Sequence, residues 1–381
     1  MLATAMVAAA GIAPARASEP LRIGVIMPFS GPFANYGRQA ELGMRAYLEE
    51  HGNTVAGRKI ELIRKDTTGP APDLARRLTQ ETAVRDKVDI IAGYAFTPNA
   101  LAAAPVLTQA KKPAMILNAA TSGIPSKSPY FARMSFTVPQ LAHTMGTWAA
   151  ENGIKTAYVA VVDFGPGHDA ERSFTAGFTA KGGRVTGSVR TPLRLPDFGP
   201  FLQRIRDEKP DAIYLFLPTG DQAMAFVKTY HEMGLAAAGI KLLTHDITES
   251  GDLSPLGAAV NGIITAQFYD ESSDRAANKK FLEAFRKVAG PNDTASMLTV
   301  TGYDTIAAIV YAVGQQKGEV DPDKTIALIR GLKLDSPRGE IRIERDGEIR
   351  QSVYVRRAQA SGSKVDMTLL KTIPLVGDPG Q

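Results

Sequence analysis

The stretch Leu21-Arg22-Ile23-Gly24-Val25-Ile26-Met27-Pro28-Phe29-Ser30-Gly31-Pro32-Phe33-Ala34-Asn35-Tyr36-Gly37 decides how this chain is read. Ile23, Val25, Ile26 and Met27 form an apolar run of the length of a strand buried on both faces. Pro28 ends it, and Ser30-Gly31-Pro32 carries the turn chemistry of a compact loop. A helical pattern follows, with Ala40, Met44, Tyr47 and Leu48 on one face at i, i+4, i+7 and i+8. Glu41, Arg45 and Glu49 alternate in charge on the other face, the pattern of a solvated helix surface. A strand that feeds a helix through a small polar loop sets hydroxyls and free amide N–H groups at the carboxyl edge of a sheet. Open α/β sheets bind their ligands at that edge.

The same alternation continues. Lys59–Lys65, Val88–Ala92 and Pro113–Leu117 read as strands, with helical patterns over Pro72–Lys87 and Ala100–Ala110 between them. From Pro139 the pattern restarts: strands over Thr156–Val162, Arg184–Arg190, Asp211–Leu217, Ile240–Leu243 and Gly262–Gln267 alternate with helices over Asp169–Lys181, Phe198–Asp207 and Asp221–Met233. Two βα blocks of similar size predict two lobes of one architecture, each a doubly wound parallel sheet. Three further helices, marked by Phe281–Val288, Gly302–Val313 and Pro322–Arg330, precede a C-terminal strand over Val353–Arg357.

Ser30-Gly31-Pro32-x-Ala34-x-Tyr36-Gly37 resembles the opening of the type I periplasmic binding proteins of the leucine/isoleucine/valine-binding family, the solute receptors of hydrophobic-amino-acid ABC importers. The likeness runs from Leu21 to Pro374. It implies two α/β lobes joined by a three-segment hinge, with lobe 1 at residues 21–138 plus 266–350 and lobe 2 at 139–265 plus 351–381. It also implies a monomeric receptor that hands its ligand to an inner-membrane ABC permease.

Within that family, a segment equivalent to Ala119-Ala120-Thr121 offers main-chain N–H groups and a hydroxyl to the ligand carboxylate. Small side chains let the backbone approach, and neutral donors hold an anion by charge-assisted hydrogen bonds. Phe96 and Thr97 follow the preceding strand and face the same cleft by the same likeness. Tyr36 is an aromatic wall of lobe 1, or else a core tyrosine at a helix start. Opposite, Phe164-Gly165-Pro166-Gly167 replaces a loop that usually carries a tyrosine, and Pro218 lies where an aromatic is common. Leu298 is placed beside Tyr36 and Phe164 in the side-chain pocket. Asp246 falls near the acid that receives an amino-acid ammonium, and it equally suits the cap of a short helix. If it engages an ammonium, the ligand is a branched-chain or other hydrophobic amino acid. If it does not, an aromatic or aliphatic carboxylic acid such as a benzoate fits the same donors.

Composition narrows the other classes. With 44% hydrophobic and 22% charged residues the chain is globular. A net charge of +5 and a pI near 9.2 invite nucleic acid, but the basic residues are scattered, with no Lys/Arg block or interleaved aromatic stripe. Zero cysteines remove thiolate metal sites, disulfides and a lipidated cysteine. Leu2–Ile12 with Ala15-Arg16-Ala17 reads as an export signal cleaved after Ala17, hence a periplasmic protein, although no Lys or Arg precedes Arg16.

An enzyme reading finds little. Gly165-x-Gly167-x-x-Ala170 matches a loose dinucleotide fingerprint, but Pro166 removes an N–H and no ribose-binding acid follows. Ser361-x-x-Lys364 matches a penicillin-binding signature by letters alone, in what reads as a polar tail. His51, His143, His168, His231 and His245 show no paired metal spacing and read as surface or capping residues. No cofactor is called for.

Overall fold

A computed structural model describes residues 19–192, 197–218, 220–245, 253–362 and 364–380. The expected export signal, Thr219 and Asp246 lie outside the described residues. Strands β1 (Leu21–Met27), β2 (Thr54–Val55), β3 (Arg58–Asp66), β4 (Ile90–Gly93), β5 (Ala114–Ile116) and β6 (Phe131–Arg133) form the first sheet, in the order β2-β3-β1-β4-β5-β6. All its pairs are parallel except β2–β3. Every residue of β1 but Arg22 is buried, as a central strand covered by helices on both faces requires.

The second sheet takes β7 (Thr156–Val162), β8 (Arg184–Thr191), β9 (Ala212–Phe216), β10 (Lys241–Thr244) and β11 (Ile264–Gln267) in parallel, order β11-β10-β9-β7-β8. β12 (Lys333–Ser336), β13 (Gly339–Ile343), β14 (Ile349–Ser361) and β15 (Lys364–Val376) extend it antiparallel. The two α/β lobes are therefore mixed, mostly parallel sheets. Where a single strand and a tail were expected, β14 and β15 make one long hairpin, and Ser361 and Lys364 face each other at its end. The exposed face of β15 carries Asp366, Thr368, Lys371 and Pro374, so its sequence reads as a polar tail rather than as an edge strand.

The helices are α1 (Ala34–His51), α2 (Pro72–Val84), α3 (Thr97–Ala110), α4 (Val138–Glu151), α5 (Gly165–Ala180), α6 (Gly199–Glu208), α7 (Asp221–Glu232), α8 (Ala276–Val288), α9 (Met297–Gln315) and α10 (Pro322–Ile329). α9 is predominantly apolar because it lies in the core, against α1. The two helices cross at glycines: a Cβ on Gly43 would stand 1.7 Å from the Thr299 carbonyl oxygen, and one on Gly302 would stand 2.0 Å from that of Ala40. Glu41 departs from the solvated face expected of it. It is 3% exposed, accepting from Arg45 Nε and Arg64 Nη2 at 2.7 Å each. Burial would raise its pKa, yet Arg64 and Arg45 together hold the carboxyl below its ordinary range.

Three segments join the lobes, and one side chain binds all three. Arg338 is buried, donates to Asp304 Oδ2 at 2.8 Å, to the Met134 carbonyl at 2.6 Å and to Gln351 Oε1 at 2.8 Å, and lies over the Phe268 ring at 4.8 Å. Gln351 Nε2 donates in turn to the Ser135 carbonyl at 2.7 Å. Met134–Ser135 leaves the first sheet, Phe268 leaves the second, and Gln351 lies near the start of β14, which pairs with β13 at Ile349 and with β11 from Tyr354. Several backbone segments that bend together allow closure without shear.

Candidate functional site

The site is built where helices begin. α3 starts at Thr97 and α5 starts at Gly165, a turn earlier than periodicity indicated in each case. Their N-cap residues are Phe96 and Phe164, both extended and neither giving a side-chain cap. Pro98 and Pro166 follow at the second helical position, where a missing N–H costs nothing. Phenylalanine cannot satisfy the amide groups of a first turn, whereas α4 and α9 carry full capping boxes from Thr137 and Ser296. The two uncapped ends belong to opposite lobes and meet at one cavity, lined by Phe96, Thr97, Phe164 and Pro166. The amide N–H groups of Thr97, Ala120 and Gly165 have no partner among the described residues. Helix N-termini carry partial positive charge, so this cavity favours an anion although no described residue around it is charged.

Its walls are aromatic. Tyr36 stacks on Phe96 with centroids 5.9 Å apart at 15°, and Phe33 meets Phe96 edge-on at 4.9 Å. From the other lobe Phe164 and Phe216 lie near-parallel at 6.4 Å, and Phe136 completes the floor. Behind Phe216 the rings continue: His245 stacks on it at 4.8 Å and 7°, and Tyr214 stacks on Phe174 at 4.0 Å. His245 departs from the surface role read for it. It is fully buried, bound through Nδ1 to Tyr214 Oη at 2.8 Å, and burial pushes its pKa down to about 3. The free volume of the cavity is about 50 Å³.

Of the residues singled out from sequence, Tyr36, Phe96, Thr97, Ala120, Phe164, Pro166 and Pro218 come together around this cavity. Thr121 stands just behind, its hydroxyl accepting from Thr97 Oγ1 at 3.1 Å. Asp169 is buried beside it. Burial raises that carboxyl, with Arg172 and the Thr121 hydroxyl opposing. Ala119 is buried with its N–H already given to the Tyr94 carbonyl at 2.9 Å. Leu298 is buried in the first turn of α9 and does not line the cavity.

Sequence reading missed Phe136, Phe216 and Arg133. Phe216 passes for strand interior because only the third dimension puts the last residue of β9 at the cavity. Arg133 holds the loop after β5: its Nη1 donates to the carbonyls of Ala119 and Phe136, and its Nη2 donates to that of Thr121 at 2.7 Å. Nε donates to Glu348 Oε2 at 2.5 Å. A lone cation within Phe131-Ala132-Arg133-Met134 was the available signal, since an arginine amid apolar neighbours needs a buried partner.

Two lobes, uncapped helix ends and an uncharged aromatic cavity describe a solute receptor, and the sequence comparisons agree. The model of the periplasmic binding protein family matches residues 20–363. The chain belongs to that family. Leu/Ile/Val-binding protein homolog 6 of Brucella melitensis biotype 1 is 37% identical over 366 residues, 95% of this chain and 94% of that protein. An ABC transporter solute-binding protein from Rhodopseudomonas palustris, solved with 4-hydroxybenzoate, is 40% identical with a TM-score of 0.91, covering 95% of this chain and 99% of that one. Its counterpart from R. palustris BisB5, solved with 3,4-dihydroxy benzoic acid, is also 40% identical, with a TM-score of 0.89 and the same coverage. This periplasmic binding protein is thus an ABC-transporter solute receptor of the leucine/isoleucine/valine-binding kind, a class of transport proteins rather than enzymes.

Proposed function

We propose that the interlobe cavity captures a small aromatic carboxylate of the benzoate type and releases it unchanged to an inner-membrane ABC permease. The observation that carries this reading is the meeting of the N–H groups of Thr97 and Ala120, which have no partner among the described residues, with two near-parallel ring pairs, Tyr36–Phe96 and Phe164–Phe216. The N–H groups suit a carboxylate, and the faces and edges of the rings suit a flat apolar body. Relatives of 40% identity solved with hydroxylated benzoates support it. In this reading Tyr36, Phe96, Phe164, Pro166 and Pro218 contact the ring, and Thr97, Ala120 and Thr121 contact the carboxylate. The lobes are divided at 21–138 plus 266–350 and 139–265 plus 351–381, and the receptor acts as a monomer after loss of residues 1–17.

A second reading, a branched-chain amino acid, is favoured by the Leu/Ile/Val-binding relative and turns on Asp246 as the ammonium partner. Thermal-shift and calorimetric titration separate the two. Benzoate, 4-hydroxybenzoate, leucine and valine are tested at equal concentration, where stabilisation follows RT ln(1 + [L]/Kd). Benzoate-type acids are expected to stabilise most. A larger shift with leucine or valine, abolished by Asp246→Asn, overturns the aromatic assignment.

A further inference from the structure

We propose that Arg133 supplies the charge opposite a bound carboxylate without touching it, acting through the peptide groups of the loop after β5. The inference rests on the carboxylate reading above. An anion moved from water into a cavity with no charged described lining needs compensation from further away. Arg133 is the nearest fully buried cation to that loop: it is 0% exposed, and all five of its N–H donors are engaged. Two of them go to Glu348 and three to peptide carbonyls, those of Ala119, Thr121 and Phe136.

The geometry of the peptide bond gives those contacts direction. The carbonyl of Ala119 shares one planar unit with the N–H of Ala120, a residue that lines the cavity and whose N–H has no partner among the described residues. A guanidinium on the oxygen of that unit polarises it and makes its N–H a stronger donor. The Thr121 carbonyl likewise shares its unit with the N–H of Ser122. Positive charge is thus delivered to the ligand side of the loop while the guanidinium stays behind it. Glu348 sets the limit. Its carboxylate faces Arg133 Nε at 2.5 Å and also accepts from Gly123 N–H at 3.2 Å, so it both seats the arginine and offsets part of its field.

The test compares the full-length mature protein with its Arg133→Lys, Arg133→Met and Glu348→Gln variants, titrated calorimetrically with 4-hydroxybenzoate and with the uncharged 4-hydroxybenzamide. The readout is the ratio of the two dissociation constants, with circular dichroism to confirm folding. The wild type is expected to prefer the carboxylate by about tenfold or more. Arg133→Met should collapse that preference, Arg133→Lys should keep most of it, and Glu348→Gln should raise it about threefold. Equal weakening of both ligands by Arg133→Met, or Lys no better than Met, assigns Arg133 a purely structural part and overturns the proposal. Where Arg133→Met does not fold, Glu348→Gln decides, and an unchanged or smaller preference overturns it. If the wild type binds leucine and not the aromatic pair, the aromatic reading fails, and the same variants are read with leucine against leucinamide. If no carboxylate binds, both fall.

Discussion

Thr97 Oγ1 donates to Thr121 Oγ1 across 3.1 Å, tying the first turn of α3 to the loop after β5 at the edge of the cavity. The Thr97 proton is engaged in this way, and the Thr121 proton, which faces the buried Asp169 carboxyl, turns to a ligand carboxylate in competition with it. Thr121→Ala is expected to weaken binding about ten- to a hundredfold, the size of one lost hydrogen bond to a charged group. Thr97→Ala should cost less, and the double variant should cost less than the two together, because both act through one pair. Calorimetric titration of the three variants checks this, and simple additivity would show the hydroxyls to be independent.

Phe164 stands at the N-cap of α5, half-buried, with its ring parallel to that of Phe216. Phe164→Ala removes a ring wall from the ligand but little from the core. Affinity for an aromatic carboxylate should fall about tenfold, while the melting temperature moves by only a few degrees. Equal losses of affinity and stability would place this ring in the core instead.

The Arg338–Asp304 pair lies wholly out of water, with side chains 0% and 1% exposed and 2.8 Å between Nε and Oδ2. Asp304→Ala leaves a guanidinium buried without its counter-ion at the junction of the three lobe-joining segments. A loss of about 3–5 kcal/mol is expected in urea unfolding. A loss below about 1 kcal/mol would mean that water or a neighbouring group reaches Arg338.

His245 makes the fold acid-sensitive. Its pKa is about 3 in the folded chain against an ordinary 6.5, so the unfolded chain takes up a proton that the folded chain refuses. Its stabilising contribution is complete above pH 6.5 and is lost as the pH falls from there towards 3, at about 1.4 kcal/mol per unit. His245→Phe, which keeps a ring against Phe216, should flatten the difference in stability between pH 7 and pH 5. Identical pH profiles for the two proteins would contradict this.

Much of the architecture was legible along the chain because apolar period and turn residues act locally. Ile23–Met27 and Thr156–Val162 could only be buried strands, and the loops after them had to stand at a sheet edge. Tyr36, Thr97, Ala120 and Phe164 were reachable through the likeness of the loops after those strands to the binding loops of the family. The antiparallel hairpin of β14 and β15 was not, because charges on an exposed strand face look like those of a loop. Glu41 and His245 were likewise read as solvated, because whether a polar side chain meets water or a partner depends on elements far away in sequence.

The order of residues alone therefore determined that two sheets with parallel centres would form, and which loops would crown them, since each strand and helix answers to neighbours a few positions off. Only the folded molecule decided that Phe96 and Phe164, both helix caps, line one cavity, that Arg133 stands behind the loop of Ala119–Thr121, and that Arg338 gathers the lobe-joining segments. Those relations join positions far apart in the sequence. No local preference encodes such a distance, and it is set when the apolar cores close and each buried charge must find its partner.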